Sequence, residues 1–282
     1  MTDAPAPGTP EWRRLVTASK VPAILGVDPY SSPRKMWDQM TGRIPPDEYT
    51  AAMERGHLLE PALLAWWRNH HPDHTDWHEQ VATRYGDWLL VTPDGAATLN
   101  GEDVLVECKT TTRDDLWGTP GTDEVPPYVL AQVLVQLHVT DAARCYVVML
   151  GSRLTFAEYI VDRDPAMETA ILDRLQDFAA TLTSDTPPPL DDTVATYEAV
   201  RAEHPDIDRD ATVALADDEA WEWIAAKFKR EAAEREERAA KTRLLDRMGN
   251  ARLATHNGQT IARRQPSRAG VSLVAVAKKE PA

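Results

Sequence analysis

Residues 92–112 read TPDGAATLNGEDVLVECKTTT, and three charges in this stretch decide the fold. Asp94 follows a proline; Glu107 comes thirteen positions later and Lys109 two further on, closing the apolar run Val104, Leu105, Val106. Strand alternation sets Glu107 and Lys109 on one face and Val106 and Cys108 on the other. The pair Asn100 and Gly101 predicts a tight hairpin, with strands ending near Thr98 and restarting near Val104. That hairpin returns the chain beside Asp94, so two carboxylates and an ammonium converge at one end of a small sheet. Two hard oxygen ligands, with neither thiolate nor imidazole, suit Mg²⁺ or Mn²⁺. A lysine beside them can polarise an attacking water or stabilise charge on phosphorus. The plainer alternative is a cross-strand ion pair on an exposed hairpin. The continuous apolar run weighs against it, because charges that end a buried strand are costly unless paired or liganded.

Outward from the hairpin, the pattern is mixed α/β. Upstream, EWRRLVTASKVPAIL (11–25) reads as an entry segment in which Thr17 or Ser19 caps a short helix through Leu25, and SPRKMWDQMTG as a helix capped by Ser32 and stopped at Gly42. In residues 48–70, Met53, Leu58, Leu59, Leu63, Leu64 and Trp67 recur at helical spacing. Downstream, PPYVLAQVLVQLHV (126–139) is helical, RCYVVMLGSRLTFAEYIV is a hairpin turning at Gly151 and Ser152, and DPAMETAILDRLQDFAATL is an amphipathic helix. PPPL at 187–190 breaks the chain; helices at 191–204 and about 217–248 follow, then a hairpin at Asn257 and Gly258. The expected organisation is a leader at 1–10, a core at 11–186, and a helical arm with a terminal hairpin at 187–282.

Composition narrows the class. No apolar run is long enough to span a membrane, and the N-terminus lacks the basic-then-apolar pattern of a signal peptide. Cys108 and Cys145 are the only cysteines of the 282 residues, which excludes a disulfide framework and a four-thiolate metal or iron–sulfur centre and points to a reducing cytoplasm. The net charge of −14 is uneven. From Lys227 onward there are 14 Lys and Arg against 6 Asp and Glu, a net of +8, against −22 for the first 226 residues. That basic stretch suits either a solvated helix or a contact with DNA phosphate or a neighbouring subunit. The run HHPDHTDWH (70–78) reads as a solvated loop rather than a zinc site, and Trp66 and Trp67 as core.

The segments VTASKVPAILGVDPYSSPRKMWDQMTGRI, RGHLLEPAL, TPDG, VECKTT and PPYVLAQVLVQLHVT stand in this order from about Trp12 to Phe178. Together they resemble the YqaJ-like viral recombinase (lambda exonuclease) family of PD-(D/E)XK nucleases. The resemblance implies a restriction-endonuclease-like α/β core that cuts DNA with Mg²⁺, or Mn²⁺ in its place, two ions per site. Asp94 and Glu107, with the Cys108 backbone carbonyl, would be direct metal ligands, and Glu60 would complete the set. Lys109 would orient and activate the attacking water. Gln132, and Gln136 one turn on, would contact the DNA end, and Ser19 with Arg14 or Arg13 would hold its 5′-phosphate. The segment WRRLVTAS is shorter than in relatives, which leaves the two arginines as alternatives. The activity implied is 5′-to-3′ degradation of linear duplex DNA, leaving 3′ tails for a single-strand annealing partner. A ring of three or four subunits in the cytoplasm of a bacterial host of phage or prophage is implied with it. An endonuclease on the same core, and a catalytically idle DNA-end scaffold, are the rival readings.

Overall fold

A computed structural model describes residues 4–6, 8–268 and 270–276. Of the expected leader, residues 1–3 and 7 lie outside the described residues. The chain divides into two units, 1–207 and 208–282. The first opens with α1 (Pro10–Arg14), β1 (Val16–Thr17), α2 (Val21–Ile24), α3 (Pro33–Thr41) and α4 (Ala51–His70). The strands β2 (Thr75–Glu79), β3 (Thr83–Tyr85), β4 (Leu89–Val91), β5 (Gly95–Leu99) and β6 (Glu102–Thr110) follow. Then come α5 (Pro127–Thr140), β7 (Arg144–Leu150), β8 (Phe156–Asp162), α6 (Pro165–Ser184) and α7 (Val194–Glu203).

The central sheet has the order β2-β5-β6-β7-β8, with β6 and β7 parallel and its other pairs antiparallel. The parallel pair needs a crossover, and α5 supplies it. Asn100 and Gly101 both adopt left-handed φ, +54° and +82°, and close the expected β5–β6 hairpin. Alternation along β6 then divides the core. Val104 and Val106 pack with Leu63, Leu64 and Trp67 of α4 on one face. Leu105 packs with Val133, Leu134 and Leu137 of α5 on the other. Glu107 and Lys109 share Leu105's face and so look toward α5. A smaller sheet, β1-β4-β3, pairs β1 with β4 in parallel, Val16 opposite Leu89, and ties the N-terminal segment to the core.

The core extends past the expected boundary at 186. The buried Thr196 of α7 donates its hydroxyl to the buried Ser32 at 2.7 Å, and Ser32 in turn caps α3. Glu203 pairs with Arg34 at 3.0 Å and Arg43 at 3.2 Å. Ending the chain at residue 186 is therefore expected to destabilise this unit by at least ~1–3 kcal/mol, the scale of one unsatisfied buried polar group. A lower urea midpoint would show it, and an unchanged midpoint would return the boundary to 186.

The second unit holds α8 (Asp217–Met248) and the strands β9 (Leu253–His256), β10 (Gln259–Ser267) and β11 (Gly270–Ala275). The expected hairpin turns at Asn257 and Gly258, but β11 adds to the other edge of β10, making a three-stranded antiparallel sheet. No helix among the described residues is long and apolar enough to cross a membrane.

Candidate active site

Asp94 stands just before β5, at the point where β5 stops pairing with β6. The last pair is Gly95 opposite Val106. Continuing that register sets Pro93 opposite Cys108, and a proline has no N–H to offer a neighbouring strand. The Asp94 carboxylate fills the gap, accepting from the Cys108 backbone N–H at 2.7 Å. In an extended strand a residue's N–H and C=O leave by the same edge. The Cys108 carbonyl is thus aimed along the edge where Asp94 lies. Gly95 is required next to Asp94 because the Trp77 ring lies against it: a Cβ there would come within 2.5 Å of that ring.

Glu107 is buried, 3% exposed, and both of its carboxylate oxygens accept hydrogen bonds. Lys109 Nζ donates to Oε1 at 2.6 Å, Gln132 Nε2 to the same oxygen at 2.6 Å, and Gln136 Nε2 to Oε2 at 2.9 Å. Gln132 also accepts from Lys109 through its own Oε1 at 3.0 Å, so it locks the ammonium as well as the carboxylate. Asp94, Glu107, Lys109 and Gln132 share a cavity of about 610 Å³ with Ser19 and Glu60. Its walls come from both faces of the sheet, Glu60 from α4 and Gln132 from α5.

The electrostatics follow from this crowding. Burial, then the Glu107 charge, pushes the Asp94 carboxyl well above the ordinary range, against the opposing pull of Lys109. Burial alone would lower Lys109, but Glu107 and Asp94 outweigh it and hold the ammonium above its usual value. Lys109 is thus a cation at neutral pH, fit to orient a water or offset negative charge and not to remove a proton. The Cys108 thiol is pushed up by burial and then by the neighbouring carboxylates, so it stays protonated and is no thiolate ligand.

Not every expected residue joins the site. Among the described residues no three His, Cys, Asp or Glu side chains are gathered as a metal cage. Glu60 lines the cavity, yet its carboxylate accepts from Gln80 at 2.7 Å and is not gathered with Asp94 and Glu107. Gln136 is fully buried and reaches Glu107 from behind; one turn along α5 carries it into the core, away from the cavity expected to receive DNA. Neither Arg13 nor Arg14 lines the cavity beside Ser19; both are exposed, and Arg14 lines a separate cavity with Trp88 and Asp185. The cause is Lys20, which the sequence did not single out. Its buried ammonium donates to the carbonyls of Trp12, Arg13 and Leu15 at 3.3, 2.8 and 2.6 Å. It draws the end of α1 inward by its backbone and leaves the two arginine side chains outside, while Trp12 joins the cavity wall. Burial pushes Lys20 down to about 8.

A carboxylate pair, a strand-end carbonyl and a lysine in a cleft between the two helical layers is the arrangement the motif order implied. Residues 11–143 match the model of the YqaJ-like viral recombinase domain. The match takes in Ser19, Glu60, Asp94, Glu107, Lys109, Gln132 and Gln136 and stops just before β7. The fold is similar to that of an alkaline exonuclease from Laribacter hongkongensis, at a TM-score of 0.50 and 22% identity, over 61% of this chain and 90% of that one. A phage-related exonuclease from Haemophilus somnus aligns at a TM-score of 0.46 and 14% identity, over 61% and 96%. No curated protein matches the chain. The central mixed sheet flanked by helices is of the PD-(D/E)XK-like fold, and the match to the YqaJ-like domain supports a nuclease role.

Proposed function

We propose that the protein is a divalent-metal-dependent exonuclease that degrades linear duplex DNA from its 5′ ends and leaves 3′ single-stranded tails. The observation that carries this reading is the convergence of Asp94, Glu107, Lys109 and Gln132 in one cavity at the open end of β6. The donor set fits Mg²⁺ or Mn²⁺: Asp94, Glu107 and the Cys108 carbonyl are all hard oxygens, and Mg²⁺ completes its shell with waters and phosphate and needs no cage of side chains. Such a cation would supply Lewis acidity and make a water more acidic. The chain's own part is to hold that cation, to aim Lys109 through Gln132 and Glu107, and to keep the ammonium charged where negative charge grows on the phosphoryl group. Ser19, exposed on the cavity wall, would meet a terminal phosphate. A homo-oligomeric ring and a single-strand annealing partner belong to the same proposal. A closed ring would let an acidic exterior coexist with a DNA-facing interior.

The test compares linear 5′-phosphorylated duplex, linear 5′-hydroxyl duplex and closed circular DNA, each with Mg²⁺ or EDTA. Consumption of the phosphorylated linear duplex first, an intact circle, and no reaction in EDTA are expected. Cutting of the circle would make the protein an endonuclease. No cutting of any substrate, by wild type and Asp94→Ala alike, would leave only a DNA-end scaffold.

A further inference from the structure

The amide of Gln136 sits where an apolar residue would pack better. Its neighbours on α5, Val133, Val135 and Leu137, are all fully buried, and Gln136 is itself 0% exposed. Its Oε1 has no hydrogen-bond partner among the described residues, a standing cost in a buried site. Turning the amide over would not relieve this, because Oε1 would then face the Glu107 carboxylate, oxygen against oxygen. Among the described residues, the side chain's sole polar contact is the 2.9 Å bond from Nε2 to Glu107 Oε2. Lys109 and Gln132 both act on the other oxygen, Oε1. Without Gln136, Oε2 would be a buried carboxylate oxygen with no donor, and the Glu107 side chain could rotate about the Oε1 contacts.

We propose that Gln136 is a positioning residue for the metal site: it fixes the plane of the Glu107 carboxylate from behind, so that a divalent cation meets an immobile ligand. The amide keeps its unpaired carbonyl because the bond on its other end supports Glu107. This is a different role from contact with the DNA end, from which burial separates Gln136. The inference rests on the metal-dependent reading above, and its test needs no DNA.

Mn²⁺ alone is titrated calorimetrically into wild type, Gln136→Met and Gln136→Leu, with the thermal midpoint of each metal-free protein measured in parallel. Both variants are expected to bind Mn²⁺ about tenfold more weakly, the usual scale for removing a group that orients a metal ligand. Their metal-free midpoints should stay near that of wild type, because loss of the unpaired carbonyl offsets the Glu107 oxygen left without its donor. In DNA cleavage the loss should appear at limiting Mg²⁺ and recover as Mg²⁺ is raised, with KM for linear duplex unmoved. Mn²⁺ affinity within twofold of wild type would overturn the proposal. So would a lowered midpoint that accounts for the lost binding, which is a structural role alone. A raised KM for DNA at saturating Mg²⁺ would overturn it too, by returning Gln136 to substrate contact. Wild type that binds Mn²⁺ but cuts no DNA would sink the exonuclease reading and leave this one standing. Wild type that binds no Mn²⁺ would sink both.

Discussion

Asp94→Asn is expected to abolish DNA cleavage, by at least about a thousandfold, and at the same time to raise the thermal midpoint of the metal-free protein. The two effects share one cause. Asp94 and Glu107 are carboxylates forced together in a poorly solvated cleft with one ammonium between them, so ionising Asp94 is unfavourable until a cation arrives. Its carboxyl in the folded protein titrates well above the 3.8 of a free aspartate. Between those two values the folded state holds a proton that the unfolded chain has released. Metal-free stability therefore falls as pH rises through that window. A divalent cation competes with that proton, so its affinity should rise with pH over the same window, with proton release on binding. Asparagine is neutral at every pH and keeps an oxygen for the Cys108 N–H. The variant should lose the fall in stability with pH, lose the stabilisation wild type gains from Mg²⁺, and lose activity. Thermal melts from pH 4 to 9 with and without Mg²⁺, beside a cleavage assay, check all three. A variant that melts below wild type at neutral pH without metal would mean that the Asp94 charge is satisfied by the fold alone, and would remove the main electrostatic argument for a cation here.

How much of this was legible in the sequence depends on the range of the interaction involved. The β5–β6 hairpin was plain, because Asn100 and Gly101 favour left-handed φ by themselves and the alternation of Val104 to Lys109 assigns faces with no further information. Asp94, Glu107 and Lys109 follow from that hairpin, while Gln132 was singled out by the family resemblance. The spacing of Gln132 and Gln136 placed both on one face of α5, but not at what depth. The amide one turn further lies under the sheet, a fact set by where α5 crosses β6. The arginines failed for another reason. An ammonium that binds three carbonyls, as Lys20 does, leaves no mark in residue pattern, so the turn it imposes on Trp12–Leu15 could not be foreseen. The proline run at 187–190 looked like a domain boundary because composition changes there. The contacts that hold α7 to the core, Thr196 to Ser32 and Glu203 to Arg34, join residues more than 160 positions apart.

Lys109→Met should separate rate from metal affinity in opposite directions. The ammonium donates to Glu107 at 2.6 Å, on a carboxylate that would also hold the proposed cation, so lysine and cation would compete for the same negative charge. Methionine has nearly the same length and volume and keeps the apolar stem packed, but it carries neither charge nor donor. Gln132 and Gln136 still hold Glu107. Mn²⁺ should therefore bind the variant as tightly as wild type or more tightly, because a positive neighbour has been removed. Cleavage at saturating Mg²⁺ should nonetheless fall by about 10²–10³-fold, the scale for removing one preorganised group that stabilises developing charge. KM for linear duplex should move little, since the contribution of Lys109 appears as charge builds on the phosphoryl group and not in the bound ground state. Isothermal titration with Mn²⁺ and steady-state cleavage at saturating Mg²⁺ separate the two effects. If affinity and rate fall together, Lys109 acts by holding Glu107 in place and not on the reacting phosphate. The 3.0 Å bond from Lys109 to Gln132 would then be part of the scaffold that shapes the metal site.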